Sequence, residues 1–412
     1  MSHVWTVVPV ALVTLAAVAP PHGPRLVASV GFWLGYLVNE FPFFAFCWLV
    51  ASTLLALGYE SLGSPAGLAV LGLAALTASG LALIVWRALL AGPVVARALT
   101  GDLGLGGLTG QSAGWPVGRR VPARTVFFPL PLRARSVQRI ANLSYGPAGR
   151  RNRLDLYRHR SGPAGAPVLI HFHGGHFRMG GKSREARALF YRLASHGWVC
   201  ISADYRLRRA GRFPASQVDA KRAIAWARQH AAEYGADPSL LVVAGNSAGA
   251  HLASMAALTA NDPVFQPGFE DADTSVSAAV CLYGFYGNRD LGGPVPSSPR
   301  AYVRPDAPPF FVAHGDNDTF IPATSAESFV DALRSVSTNP VVYVRLPGAQ
   351  HSFDLLDSVR FQYVIDGIET FTAWVRARHD PPSAQLTTAW PPSPAMPTAN
   401  PRRSGLLTEL AS

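Results

Sequence analysis

Apolar and polar positions divide the chain into two regimes. Residues 4–20, 26–58 and 66–92 are almost free of charge and are separated by short polar breaks, the pattern of helices that meet lipid. The middle run has 33 residues. As one helix it would extend about 50 Å against a hydrocarbon core of roughly 30 Å. "NEFP" at 39–42 interrupts it, so two shorter passes or one tilted, broken helix would both fit. Residues 1–92 therefore read as a transmembrane region of about three spans. A cleaved signal peptide fits the first run less well, because the charged stretch that should precede it is missing and further apolar runs follow.

From residue 138 to 380 the pattern changes to short apolar runs alternating with longer segments of helical period. The runs "RIANLSY", "RLDLYR", "PVLIHFH", "WVCISADY", "LLVVAG", "SAAVCLYG", "PFFVAHG" and "VVYVRLPG" predict about eight strands. Segments such as "SREARALFYRLASHG", "DAKRAIAWARQHAAEYG" and "ATSAESFVDALRSV" predict the helices between them. Strands alternating with helices imply an α/β fold, a mostly parallel sheet with helices on both faces. The short loop between the first two strands predicts an antiparallel edge. Residues 93–137 read as a Gly-, Pro- and Arg-rich linker. Residues 381–412 form a Pro-rich tail with too little apolar periodicity to bury a core.

Composition sharpens this division. The chain has 412 residues, 49% of them hydrophobic, which is high for a soluble protein. The net charge of +11 comes mostly from arginine, with Lys182 and Lys221 the only lysines. Arg87 lies near the end of the third run and Arg97, Arg119, Arg120 and Arg124 follow it, with Asp102 as the acid among them. By the positive-inside tendency this flank stays cytoplasmic, and Arg25 inside with Glu60 outside fits three spans with the N-terminus out. The expectation is an integral membrane protein, of the plasma membrane, with its large C-terminal part on the cytoplasmic side. No basic cluster is interleaved with aromatics, so nucleic acid is not an expected partner. Cys47, Cys200 and Cys281 all sit in apolar runs and suggest neither a disulfide framework nor a Cys-based metal site.

The chemistry concentrates at strand ends. "GNSAGAHLA" places Ser247 in a G-x-S-x-G turn between a buried strand and a helix. Such a turn lifts the serine hydroxyl above the sheet edge, and Gly245 and Gly249 flank it because a Cβ there would collide. A serine needs a base and an orienting carboxylate to act as a nucleophile. "HGDND" supplies Asp318, with Asp316 the weaker candidate, and "GAQHSF" supplies His351, each just past a strand's carboxyl end. "HFHGGHF" follows the third strand, where backbone N–H groups could form one side of an oxyanion hole, with the N–H of Ala248 on the other. His171, His173 and His176 also partly resemble the H-x-H-x-D-H of binuclear metallohydrolases, but Gly175 stands where that pattern has aspartate. No cofactor or metal is implied.

On these stretches, together with "RLDLYR", "ADYRL" and "EYGADP", segment 138–380 resembles the α/β-hydrolase fold. More narrowly, it resembles the carboxylesterases of the hormone-sensitive-lipase-like group. The resemblance implies Ser247 as nucleophile, Asp318 as acid and His351 as base. It makes His173 a structural member of the oxyanion loop, with Gly174, Gly175 and His176 offering donors. It also implies an ester substrate, small or lipid-like. Two positions depart from the group's pattern: His176 replaces a third glycine, and Asn246 stands where aspartate is common. The segment between "CLYGF" and "PPFFVAHG" is too short for the helical cap usual there. Arylformamidases and prenylcysteine methylesterases share parts of the pattern, and a catalytically silent hydrolase-fold receptor is the reading from another class.

Overall fold

The computed structural model describes residues 4–59, 64–105 and 121–379. The expected tail at 381–412 and the 106–120 part of the expected linker lie outside them. Eight strands form one sheet: β1 (Val137–Ser144), β2 (Arg153–His159), β3 (Ala166–Phe172), β4 (Val199–Ala203), β5 (Ala236–Asn246), β6 (Ala278–Leu282), β7 (Phe310–Gly315) and β8 (Val341–Leu346), in the order β1-β2-β4-β3-β5-β6-β7-β8. β2 is antiparallel to both β1 and β4, and all other pairs are parallel. β3, β4, β6 and β7 are buried along their whole length and β5 from Leu240 to Asn246, as strands covered on both faces must be.

The chain leaves β3 toward β4 on one side and returns to β5 on the other. That reversal opens a crevice at the strands' carboxyl ends, between the loops after β3 and β5. Helices α6 (Arg187–Ser195) and α10 (Val359–His379) pack on one face of the sheet, and α7 (Ala215–His230), α8 (Ala248–Leu258) and α9 (Ala323–Val336) on the other. No α-helix is inserted between β6 and β7, so the expected absence of a helical cap at that point holds.

Before the sheet come α1 (Val4–Val18), α2 (Arg25–Glu40), α3 (Pro42–Tyr59), α4 (Pro65–Asp102) and the short α5 (Ala123–Phe127). The run at 26–58 is two helices bent by 84°. Pro42 disfavours helical geometry at Phe41 and is pre-set for the first turn of α3. α4 is the one helix among the described residues that is alone long and apolar enough to cross a membrane, and the bent pair α2–α3 passes the same test only when joined. α1, with 15 residues, is shorter.

The expected boundary at 92 is not a break in the structure. Ser64 caps α4 by accepting the N–H of Gly67 at 3.1 Å, and the helix continues through Pro93 for 38 residues, about 57 Å. Its two halves have different partners. Val70 to Ile84 pack with α1 and α3, whereas Ala91, Val95 and Leu99 join the sheet core beside α10. Burial of these last turns carries the helix on to Asp102, so 93–102 belong to the sheet core and not to a linker.

A second tie is electrostatic. Glu40, at the end of α2, lies 2.6 Å from Arg360 of α10, and both side chains are at most 1% exposed. Ser358 donates to the same carboxylate at 2.7 Å. Removing one member strands a buried charge, so Glu40→Ala should cost about 3–5 kcal/mol, while replacing both members by apolar residues should cost less. Thermal denaturation of Glu40→Ala beside Glu40→Leu/Arg360→Met checks this order.

Candidate active site

Ser247 occupies the single residue between β5 and α8, with φ +53° and ψ −115°. A non-glycine residue stays in that sparsely populated region only where its surroundings over-determine it. The surroundings here are backbone. A Cβ on Gly245 would lie 2.1 Å from the Gly249 carbonyl oxygen, and one on Gly249 would lie 1.9 Å from that of Phe172. The elbow is therefore pressed against the end of β3, where the next loop begins. The Ser247 N–H is held by the Leu282 carbonyl at 2.9 Å.

The three side chains singled out in sequence meet in one line. Ser247 Oγ lies 3.0 Å from His351 Nε2, and His351 Nδ1 lies 2.7 Å from Asp318 Oδ2. The other Asp318 oxygen accepts the backbone N–H groups of Phe320 and Ile321, at 2.9 and 2.8 Å. Burial alone would raise the Asp318 pKa. Interactions with His351 and His314 outweigh burial and hold the carboxyl well below the usual carboxylate range. Asp316 is elsewhere, bracing the β8 turn by accepting the Gly348 N–H at 2.6 Å.

The loop after β3 is strained in the same manner as the elbow: Gly175, His176 and Phe177 all have positive φ. A Cβ on Gly175, at φ +111°, would also sit 2.1 Å from the Met179 carbonyl, so glycine is required there. His173 is a brace. Its ring stacks on Tyr205 at 4.4 Å, its Nδ1 reaches the Gly174 carbonyl at 2.6 Å, and the Tyr205 hydroxyl donates to its own carbonyl at 2.7 Å. Burial pushes its pKa down to about 4 and that of His171 down to about 3, so both are neutral near pH 7. The histidines diverge: His171 Nε2 faces Asn246 Oδ1 at 3.1 Å, and His176 packs edge-on to Phe320. They do not converge on a metal centre.

Gly174 corrects the sequence reading. Its N–H, expected to face a substrate oxygen, donates to the buried carboxylate of Glu185. Gly175 and His176 come next in the loop. The N–H of Ala248 opens α8, in the first turn where helical N–H groups have no partner within the helix.

Glu185 belongs to a group that sequence reasoning missed. Asp354, three residues beyond His351, accepts hydrogen bonds from the Tyr283 hydroxyl, the Asn246 side-chain amide and the Ala186 N–H. Tyr283 in turn packs edge-on against the His351 ring at 4.6 Å. Both acids are buried and close enough to repel. Burial first, then the charge of Asp354, push Glu185 up to about 8, and burial raises Asp354. His314 was likewise unmarked; its Nε2 lies 3.3 Å from Asp318. In sequence, "SREAR" reads only as the start of a helix, and no spacing pairs it with Asp354.

The chain is similar to known esterases. The BD-FAE family model matches residues 154–293. The "probable carboxylic ester hydrolase LipM" of Mycobacterium tuberculosis is 37% identical over 405 residues, covering 89% of this chain and 93% of that protein. Esterase LipQ of the same organism is 40% identical over 264 residues, 58% of this chain and 63% of its own. Among solved structures, the apo form of Thermogutta terrifontis esterase 2 is 25% identical with a TM-score of 0.51, covering 59% of this chain and 96% of that one.

The raised pKa of Glu185 makes stability depend on pH with a definite sign. Between the ordinary value of 4.5 and about 8 the folded protein retains a proton that the unfolded chain has lost. Stability from this group therefore falls as pH rises through that window. Glu185→Gln keeps an acceptor for Gly174 and removes the proton. Its melting temperature relative to wild type should increase from pH 5 to pH 8.5, measured by thermal scans at each pH.

Proposed function

The chain belongs to the carboxylic ester hydrolases with the α/β-hydrolase fold, and from that premise we propose that it is a membrane-anchored serine carboxylesterase working through Ser247, His351 and Asp318. The observation that carries the reading is the line of hydrogen bonds from a strained serine through a histidine to a buried carboxylate, at 3.0 and 2.7 Å. In the first step Ser247 Oγ attacks the ester carbonyl carbon while His351 Nε2 takes its proton. Asp318 accepts the Nδ1–H of His351, which fixes the tautomer and stabilises the imidazolium. The tetrahedral oxyanion is bound by the N–H of Ala248 and, across the crevice, by those of Gly175 and His176. Collapse expels the alcohol, protonated by His351. Water, deprotonated by the same histidine, then releases the acid and restores Ser247.

The preformed geometry lowers the cost of each step. Asp318 is held ionised by its neighbours and needs no reorganisation when the imidazolium forms. The elbow fixes Ser247 against a base already within reach. Support for the anchor comes from the length and apolar character of α4 and from the arginines that follow its apolar part. By the same argument we assign the protein to the plasma membrane, with the catalytic domain on the cytoplasmic side. The substrate class is a small or lipid-like carboxylic ester.

Hydrolysis of p-nitrophenyl esters by the full-length protein tests the reading. Ser247→Ala should lower kcat by about four to six orders of magnitude, and Asp318→Asn by about four. Retention of wild-type rates by Ser247→Ala would move the nucleophile elsewhere.

A further inference from the structure

α2 is apolar enough to be taken for half of a membrane span, yet one of its faces rests on the catalytic loops over its whole length. The contacts recur every four residues, the spacing that keeps side chains on one side of a helix. The carbonyl of Ala28 accepts from Thr319 Oγ1 at 3.2 Å, the Phe32 ring lies 5.0 Å from Phe320, the Tyr36 hydroxyl donates to the Ser352 carbonyl at 2.9 Å, and Glu40 pairs with Arg360. From Ala28 to Glu40 the helix runs about 18 Å along the domain. Thr319 and Phe320 directly follow Asp318, and Ser352 follows His351. Phe320 also packs edge-on against His351 at 5.3 Å, so α2 is one aromatic ring away from the imidazole. With the helix in place, Ser247, Asp318 and His351 are at most 4% exposed.

The opposite face has no covering. Leu26, Val30, Trp33, Leu34 and Leu37 are 47–78% exposed. α3, which turns away at 84°, continues the apolar surface through Phe44 and Trp48. A contiguous surface of this kind marks an interaction site. A helix that lies along a domain, with large aliphatic residues and a tryptophan on its free side, matches the boundary between lipid headgroups and acyl chains. Charged side chains are absent from that face between Leu26 and Leu37, which sets it apart from a solvated helix.

We propose that α2 lies in the plane of the bilayer interface as the roof of the active site, its outer face in lipid and its Phe32 and Tyr36 face over the triad. An ester then reaches Ser247 from the lipid side, past Phe32, and that ring limits the length of chain the site admits. The placement in the bilayer stands on α2 alone, whereas the limit on chain length rests on the esterase reading given above.

Two measurements on full-length protein in phosphatidylcholine/phosphatidylglycerol vesicles test the proposal separately. Leu26→Cys, Val30→Cys, Trp33→Cys and Leu37→Cys, each in a Cys47→Ala background, carry a nitroxide whose depth is read by spin relaxation; Cys200 and Cys281 are buried. An in-plane roof places all four at one depth, about 5–10 Å below the headgroup boundary. A depth that changes by about 16 Å from position 26 to 37, or nitroxides that are all water-accessible, would overturn it. In the second measurement, Phe32→Ala should raise the ratio of kcat/KM for p-nitrophenyl decanoate over butyrate by about tenfold or more. An unchanged ratio would remove Phe32 as the limit. Wild-type vesicles that hydrolyse no ester would instead refute the esterase reading and leave the depth profile intact.

Discussion

The site depends on two carboxyl groups that water does not reach. Glu185 and Asp354 sit beneath the crevice and accept hydrogen bonds from three loops that the chain brings together from distant positions: Gly174 after β3, Asn246 at the elbow, and Tyr283 after β6. A buried polar group must be paired, and a buried acid pair more stringently so. The donors are therefore held where the acids need them, and the backbone that carries Ser247 and the adjacent loop is held with them. Tyr283 links the same network to the His351 ring. The geometry between Ser247 and His351 is thus set from below.

The N-terminal helices are continuous with this arrangement. α4 spends its first half against α1 and α3 and its last turns in the sheet core, so the apolar bundle and the hydrolase share a helix. The Glu40 and Arg360 pair and the carbonyls at the end of α1, which accept from Asn317 and Arg87, add polar ties at the same junction. Asn317 and Asp318 are neighbours in one turn. The N-terminal helices and Asp318 are therefore tied through a single turn.

The legible part of the fold was the part governed by period. Eight apolar runs became eight strands, since a buried strand must be apolar on both faces whatever its neighbours are. The elbow could be read because only glycine fits where Gly245 and Gly249 press on backbone, and the order Ser, Asp, His could be read because each residue ends a strand. Gly174 was misassigned because its partner, Glu185, is eleven residues away in a segment that reads only as the start of a helix. The run at 26–58 was ambiguous for a related reason: apolar composition reports that a helix avoids water, and both lipid and a protein domain satisfy that demand.

The sequence by itself determined the strands of the sheet, its antiparallel edge, and the residue types at the strand ends, since these follow from local period, turn sterics and chain order. Tertiary structure alone decided which backbone N–H groups face the crevice, which acids lie buried beneath it, and that α2 lies across the catalytic loops. Those outcomes depend on how polar groups far apart in the chain satisfy one another once water is excluded, and no local pattern encodes that pairing.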